Sequence, residues 1–197
     1  MQELEPLLNR IEIIPEPEFF NEKSRKLTFS TNFANLEIVK IRSFDVASFV
    51  KFGGADIGIC GKDVIEEFSS SEFYSILDLK IGKCRLSLAK ETNCKENLLT
   101  VGNTRVATKY TKITQEYFAK NGIQAEIIKL NGSIEIAPKL NLCDFIIDLV
   151  SSGQTLQENN MIEVEKILDI SSYLIANRTS LKTKNIEINQ FIKMFNV

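Results

Sequence analysis

From about residue 36 onward, short β-branched runs alternate with segments of helical periodicity, and this alternation constrains the fold more than any other feature. Residues 36–41 read as a strand, and Asp45 is placed to cap a helix whose apolar positions are Val46, Phe49 and Val50. Gly53-Gly54 supplies its stop. Residues 55–60 read as a strand, Gly61-Lys62-Asp63 leads into a helix over 64–68, and an apolar run follows at 84–89. A second series then begins. Strands over 105–108 and 125–130 flank a helix over 113–120 that Asn121-Gly122 terminates. Gly132-Ser133 opens a helix carrying Ile134, Ile136, Ala137 and Leu140, and residues 145–150 form the most strongly apolar strand of the chain. The segment 151–156 turns into a short helix, strands over 161–168 and 172–176 follow, and Ile188, Phe191, Ile192 and Phe195 mark a last amphipathic helix. Such an order predicts α/β layers with largely parallel sheets. Residues 1–20, with Pro15-Glu16-Pro17, give no strand, and the polar stretch 91–103 reads as a surface loop between two units.

Composition narrows the chemistry. With 197 residues, 44% hydrophobic, the chain can bury one large core or two small ones. Twenty-four basic against 26 acidic residues leave a formal charge of −2, which disfavours nucleic acid as a partner. Histidine is absent, which excludes Ser-His-Asp and Cys-His machinery and His-ligated zinc. Cys60, Cys84, Cys94 and Cys143 form no CxxC pair; Cys60, Cys84 and Cys143 adjoin apolar runs and read as buried structural thiols. The acidic start, Met1 to Pro6, lacks the apolar core of a signal peptide, and no stretch approaches the ~18 apolar residues of a membrane span. The expectation is a soluble, cytoplasmic protein without membrane contact.

The segment Asp148-Leu149-Val150-Ser151-Ser152-Gly153-Gln154-Thr155-Leu156 is the most informative. A buried strand ends in hydroxyls and a glycine where a helix begins. Free backbone N–H groups and the helix dipole can bind an anion there, with Ser151, Ser152 and Thr155 adding donors, and Asp148 can accept hydrogen bonds from sugar hydroxyls. A plain strand-to-helix turn with Ser152 as N-cap explains the pattern equally well. Leu130-Asn131-Gly132-Ser133-Ile134-Glu135 repeats the theme, and alone it reads as a capping box. Two such turns at strand carboxyl ends are more telling together, because open α/β sheets bind ligands there. Gly61-Lys62-Asp63 lacks the remainder of a phosphate-binding Walker loop. Arg25-Lys26, Arg42, Lys83 and Arg85 stand beside strand-like segments, where most basic residues are solvated surface.

The run from Asp45 through Gly53-Gly54-Ala55-Asp56-Ile57-Gly58 to Gly61-Lys62-Asp63-Val64 resembles a signature of the ATP phosphoribosyltransferase family. Gly82-Lys83-Cys84-Arg85-Leu86, Ala107-Thr108-Lys109-Tyr110, Ile128 to Ser133 and Asp148 to Leu156 continue the likeness in family order, from about Ser24 to Asn177. The chain is similar to the short form of that family.

The resemblance implies a two-domain fold like that of type II periplasmic-binding proteins, with the active site in the interdomain cleft. Residues 1–84 with 172–197 would form one domain and 85–171 the other. It implies transfer of phosphoribosyl from 5-phosphoribosyl 1-pyrophosphate to N1 of ATP, the first step of histidine biosynthesis. The loop Ser151, Ser152, Gly153, Gln154, Thr155 and Leu156 would hold the 5-phosphate, Asp148 would lie by the ribose, and Asn131, Gly132 and Ser133 would line the substrate site. Arg25 and Arg42 would face the phosphates of ATP or the departing pyrophosphate. Mg²⁺ would arrive with the pyrophosphate substrate rather than in a protein cage. The partners implied are a regulatory subunit resembling histidyl-tRNA synthetase and a second catalytic subunit in a homodimer.

Members of the family begin with a strand and a basic turn that nothing here matches; Met1-Gln2-Glu3-Leu4 reads as the inside of the helix that should follow. The expectation is an exposed sheet edge in the first domain. Two rivals remain from the sequence: a catalytically impaired subunit, and a bilobed small-molecule-binding protein that does no chemistry.

Overall fold

The computed structural model describes residues 3–69, 71–94 and 104–195. The helices are α1 (Leu4–Arg10), α2 (Ser43–Lys51), α3 (Lys62–Phe68), α4 (Thr111–Lys120), α5 (Gln154–Glu158), α6 (Arg178–Thr183) and α7 (Asn185–Met194). The strands are β1 (Thr28–Ser30), β2 (Glu37–Val39), β3 (Ile57–Gly61), β4 (Phe73–Asp78), β5 (Cys84–Glu91), β6 (Thr104–Thr108), β7 (Ala125–Lys129), β8 (Phe145–Val150), β9 (Met161–Ile170) and β10 (Ser172–Asn177). The chain divides into two compact units: residues 1–60, 70–82 and 172–197, and residues 61–69 with 83–171.

In the first unit β1 and β2 form an antiparallel hairpin, and a three-stranded sheet runs in the order β3-β10-β4. Its core gathers Leu7, Leu8 and Ile11 of α1 and the following turn with Phe19, Phe29, Leu79, Leu174 and Phe195. The Phe19 and Phe29 rings meet edge to face, centroids 5.2 Å apart. Helix α2 packs closely on β3 because Gly58 has no side chain. A Cβ there would stand 2.6 Å from Val46 Cγ1 and 2.8 Å from Val50 Cγ2. The expected cap of α2 is displaced. Arg42 occupies the N-cap without a side-chain bond, and Asp45 lies in the first turn, where a carboxylate still opposes the helix dipole. Gly53, at φ +75°, ends the helix as expected. Residues 3–20 form α1 and a 3₁₀ turn at Pro17–Phe20, with no strand.

The second unit holds a five-stranded sheet in the order β7-β6-β8-β5-β9. Strands β6, β7 and β8 are parallel, the α4 crossover returning the chain in the same sense. β5 is inserted antiparallel to both β8 and β9. The sheets are therefore mixed rather than largely parallel, because β5 and the first unit's β10–β4 pair run against their neighbours. The assignment of 61–69 also differs from a boundary at residue 84. Glu67 of α3 accepts the N–H groups of Lys112 (3.0 Å) and Ile113 (3.1 Å) and the Thr111 hydroxyl (3.1 Å). A carboxylate from α3 thus caps α4, whose own N-cap residue, Tyr110, makes no capping bond.

The helix expected from Gly132-Ser133 does not form. Residues 134–140 make two single 3₁₀ turns, Ile134–Ile136 and Pro138–Leu140. Pro138 has no N–H to continue a helix, and Ser133 is left-handed at φ +51°. Ile134 and Ala137 nevertheless reach the core with Ile146, Val150, Leu156 and Met161. None of the four cysteines forms a disulfide; Cys60 and Cys143 are buried, whereas Cys84 is only partly covered. The polar stretch 91–103 lies largely outside the described residues. No helix among the described residues is long and apolar enough to cross a membrane.

Candidate active site

Strand β8 delivers the site. Phe145, Ile146 and Ile147 are buried, and the strand emerges at Asp148 and Leu149. Beyond it Gly153 turns left-handed at φ +84°, a conformation that costs glycine little, and α5 begins. The loop and strand end form a pocket of ≈ 150 Å³ lined by Asp148, Leu149, Val150, Ser151, Ser152, Gly153, Thr155 and Leu156 together with Glu135.

The turn is not a Ser152-capped helix start. Gly153 is the N-cap, and the Ser152 hydroxyl accepts a long 3.3 Å bond from the Gln154 N–H. The Ser151 and Thr155 hydroxyls, and the Ser152 and Gly153 N–H groups, have no partner among the described residues. These are the donors an anion needs. The expected helix dipole is a minor contributor, since α5 has only five residues.

Asp148 accepts the N–H of Leu149 at 2.8 Å. Burial pushes its carboxyl above the ordinary value of 3.8; the Leu149 bond opposes this, and the nearby Glu135 carboxylate adds to it. Behind the strand, the Thr108 hydroxyl donates to the Ile147 carbonyl at 2.8 Å and accepts the Tyr110 N–H at 2.9 Å.

The other sequence candidates are distributed as follows. Leu156 packs into the core beneath the pocket. Gln154 does not line the pocket; its Nε2 donates to Glu158 at 2.8 Å. Asn131, Gly132 and Ser133 are exposed and outside the pocket, and Ser133 makes no capping bond. Arg25 and Arg42 are exposed in the first unit, and their side chains make no hydrogen bond or ion pair among the described residues. Two residues escaped the sequence reading of the site. Glu135 had been legible only as a capping partner. Arg85, read as solvated surface, donates from Nη1 to the Ser151 carbonyl at 3.1 Å.

Known proteins agree with this architecture. The alkanesulfonate-binding protein SsuA from Xanthomonas axonopodis superposes with a TM-score of 0.52 at 9% identity, over 78% of this chain and 58% of that one. A likeness at that identity concerns the fold alone, which is the two-domain α/β fold of type II periplasmic-binding proteins. A far nearer structure is the "ATP phosphoribosyl transferase (HisG:HisZ) complex from Thermotoga maritima", with a TM-score of 0.81 and 28% identity over 99% of this chain and 91% of that chain. Residues 42–197 match the HisG family model, described as ATP phosphoribosyltransferase. The ATP phosphoribosyltransferase of Rhodospirillum rubrum is 48% identical over 99% of this chain and 87% of its own length, and that of Novosphingobium aromaticivorans 45% identical over 99% and 88%. The chain belongs to the ATP phosphoribosyltransferase family.

Proposed function

We infer that this chain catalyses the first step of histidine biosynthesis, joining N1 of ATP's adenine to C1 of 5-phosphoribosyl 1-pyrophosphate and releasing pyrophosphate. Family membership supports the reaction, and the single structural observation that carries the site is the pocket formed by Asp148, Glu135 and the 151–156 loop.

The chemistry suits a chain without histidine. The adenine N1 lone pair forms the new bond to C1 while the C1–O bond to pyrophosphate breaks and its electron pair leaves with that group. No strong base must first create the nucleophile. Charge grows on pyrophosphate and on an oxocarbenium-like ribose, so positioning and electrostatic stabilisation dominate. In this reading Ser151, Ser152, Gly153 and Thr155 hold the 5-phosphate, Asp148 accepts from the ribose hydroxyls, and Arg25 and Arg42 neutralise phosphate charge. Gln154 and Leu156 shape the loop, and Asn131, Gly132 and Ser133 contribute to substrate binding from outside the pocket itself. Magnesium would be carried largely by the substrate phosphates, and the Asp148 and Glu135 carboxylates of the pocket lining are the groups present that could assist in holding it.

The likeness to a HisG:HisZ complex supports a hetero-oligomer with a regulatory subunit; in this reading that subunit resembles histidyl-tRNA synthetase, the catalytic subunits pair as a homodimer, and the assembly is cytoplasmic. The test is calorimetric titration of the chain with phosphoribosyl pyrophosphate. Binding that Thr155→Ala weakens supports the loop assignment, and binding indifferent to that change refutes it.

A further inference from the structure

Two irregularities in the edge strand of the second unit converge on the phosphate loop. The β5–β9 register begins with Cys84 opposite Ile170 and shifts twice, between Leu86 and Ser87 and between Leu88 and Ala89. An uninterrupted ladder would set Glu163 opposite Glu91, but the two shifts set it opposite Ala89. Glu163 is thereby carried two positions, about 7 Å, toward Arg85. Arg85, Ser87 and Ala89 alternate onto one face of β5, which a directly opposed residue shares. The small Ala89 leaves Glu163 a lane along that face.

The carboxylate is fully engaged at the end of it. Arg85 donates from Nε to Oε1 at 2.7 Å and from Nη2 to Oε2 at 2.6 Å, and the buried Ser87 hydroxyl donates to Oε1 at 2.7 Å. A two-point fork fixes the guanidinium plane. The third nitrogen, Nη1, donates to the Ser151 carbonyl at 3.1 Å. In a trans peptide the carbonyl and the next N–H point in opposite directions, so the bond that aims Ser151 C=O at Arg85 aims Ser152 N–H away from it. That N–H has no partner among the described residues, and Ser152 is one of the residues lining the pocket.

We propose that Arg85, locked by Glu163 and Ser87, is a positioning residue that orients the Ser151–Ser152 peptide so that the loop presents its N–H to the phosphate of phosphoribosyl pyrophosphate. This rests on the loop assignment above. Arg85 acts through the backbone and not as a phosphate ligand, because Glu163 already neutralises its charge. Lysine cannot replace it, since an ammonium does not hold a planar fork and a third bond together.

Glu163→Gln separates the two roles. A direct phosphate ligand would be released by that change and would bind the substrate more tightly; a positioning residue loses its lock. We expect Arg85→Lys and Glu163→Gln each to raise KM and Kd for phosphoribosyl pyrophosphate about tenfold, with KM for ATP within twofold of the parent. Ser87→Ala, which leaves both charges in place, should move the same constant in the same direction by about threefold. Unchanged or tighter binding in Glu163→Gln overturns the proposal, as does an equal rise in both KM values. Thr155→Ala, measured alongside, distinguishes the two failures. If it weakens binding while Glu163→Gln does not, the loop assignment stands and the role of Arg85 falls; if it too is silent, both fall.

Discussion

Tyr110 donates its phenolic hydrogen to Asp63 Oδ2 at 2.9 Å, joining the residue that precedes α4 to the first turn of α3. Both residues are almost fully buried. Burial, and then the adjacent carboxylate, push the phenol above its ordinary value, so it remains a donor throughout the working pH range. Gly61 completes the arrangement, because a Cβ there would collide with Asp63 Oδ1. The Gly-Lys-Asp turn is thus a packing device. Its glycine admits the aspartate, and the aspartate holds the tyrosine.

Tyr110→Phe leaves the Asp63 carboxylate without that donor in a buried position. A hydrogen bond to a charged group contributes about 1.5–3 kcal/mol, so melting should fall by roughly 5 °C. Calorimetric melting of the two proteins checks it; an unchanged midpoint would mean that Asp63 finds another donor.

Gly153→Val forces a β-branched residue into φ +84° at the centre of the proposed phosphate loop. Thr155→Ala removes one hydroxyl from the pocket lining. Each should weaken phosphoribosyl pyrophosphate binding about tenfold to a hundredfold, as loss of a bond to a charged group implies. Gly153→Val should also lower the melting point, whereas Thr155→Ala should not. Titration calorimetry beside thermal melting separates the two effects.

If Asp148 holds the ribose as proposed, it sets stability against function. Its folded carboxyl binds a proton more tightly than the ordinary value of 3.8, chiefly through burial, so the folded state holds more protons than the unfolded one between 3.8 and the raised value. Stability from this group therefore falls as pH rises through that window and stays lower at neutral pH. Asp148→Asn should melt higher than the parent at pH 7 and lose that advantage below pH ~4, while binding phosphoribosyl pyrophosphate more weakly at every pH. Glu163 has the opposite sign. The Arg85 hydrogen bonds hold it below its ordinary 4.5, so its contribution is present above 4.5 and disappears as pH falls through the lowered value. Melting curves from pH 3 to 8 on Asp148→Asn and Glu163→Gln should slope oppositely relative to the parent.

If Arg42 neutralises charge that grows on pyrophosphate, Arg42→Ala should slow the chemical step by about tenfold to a hundredfold while leaving substrate affinity nearly intact. Arg25→Ala should act likewise or weaken ATP binding. Single-turnover mixing resolves chemistry from binding. A lowered melting point with an unaltered chemical rate would assign these arginines a structural role.

Local pattern carried much of this fold. The buried run 145–150 and its hydroxyl-glycine turn are visible as strand and loop because their signals are contiguous. Other features depend on residues distant in sequence. Arg85 and Glu163 are 78 residues apart, and only a doubly bulged register brings them together. Glu67 caps α4 from 45 residues away, so the grouping of 61–69 with the second unit has no local signature. The helix misread at 133–140 did have one, because Pro138 lies inside the periodic apolar pattern and breaks it into two 3₁₀ turns. Mixed strand direction was hidden for a related reason: strand and helix order in sequence does not say where β5 is inserted in the sheet.

The proposed function requires that phosphoribosyl pass to ATP through the pocket at the end of β8. The most direct measurement follows phosphoribosyl-ATP formation from ATP and phosphoribosyl pyrophosphate with magnesium and a HisZ-type regulatory subunit, for the parent chain and for Thr155→Ala. The account predicts product from the parent and a KM for phosphoribosyl pyrophosphate raised about tenfold in the variant, with KM for ATP unchanged. Formation of product with identical constants in both proteins would contradict it, as would binding of phosphoribosyl pyrophosphate by the parent with no product formed.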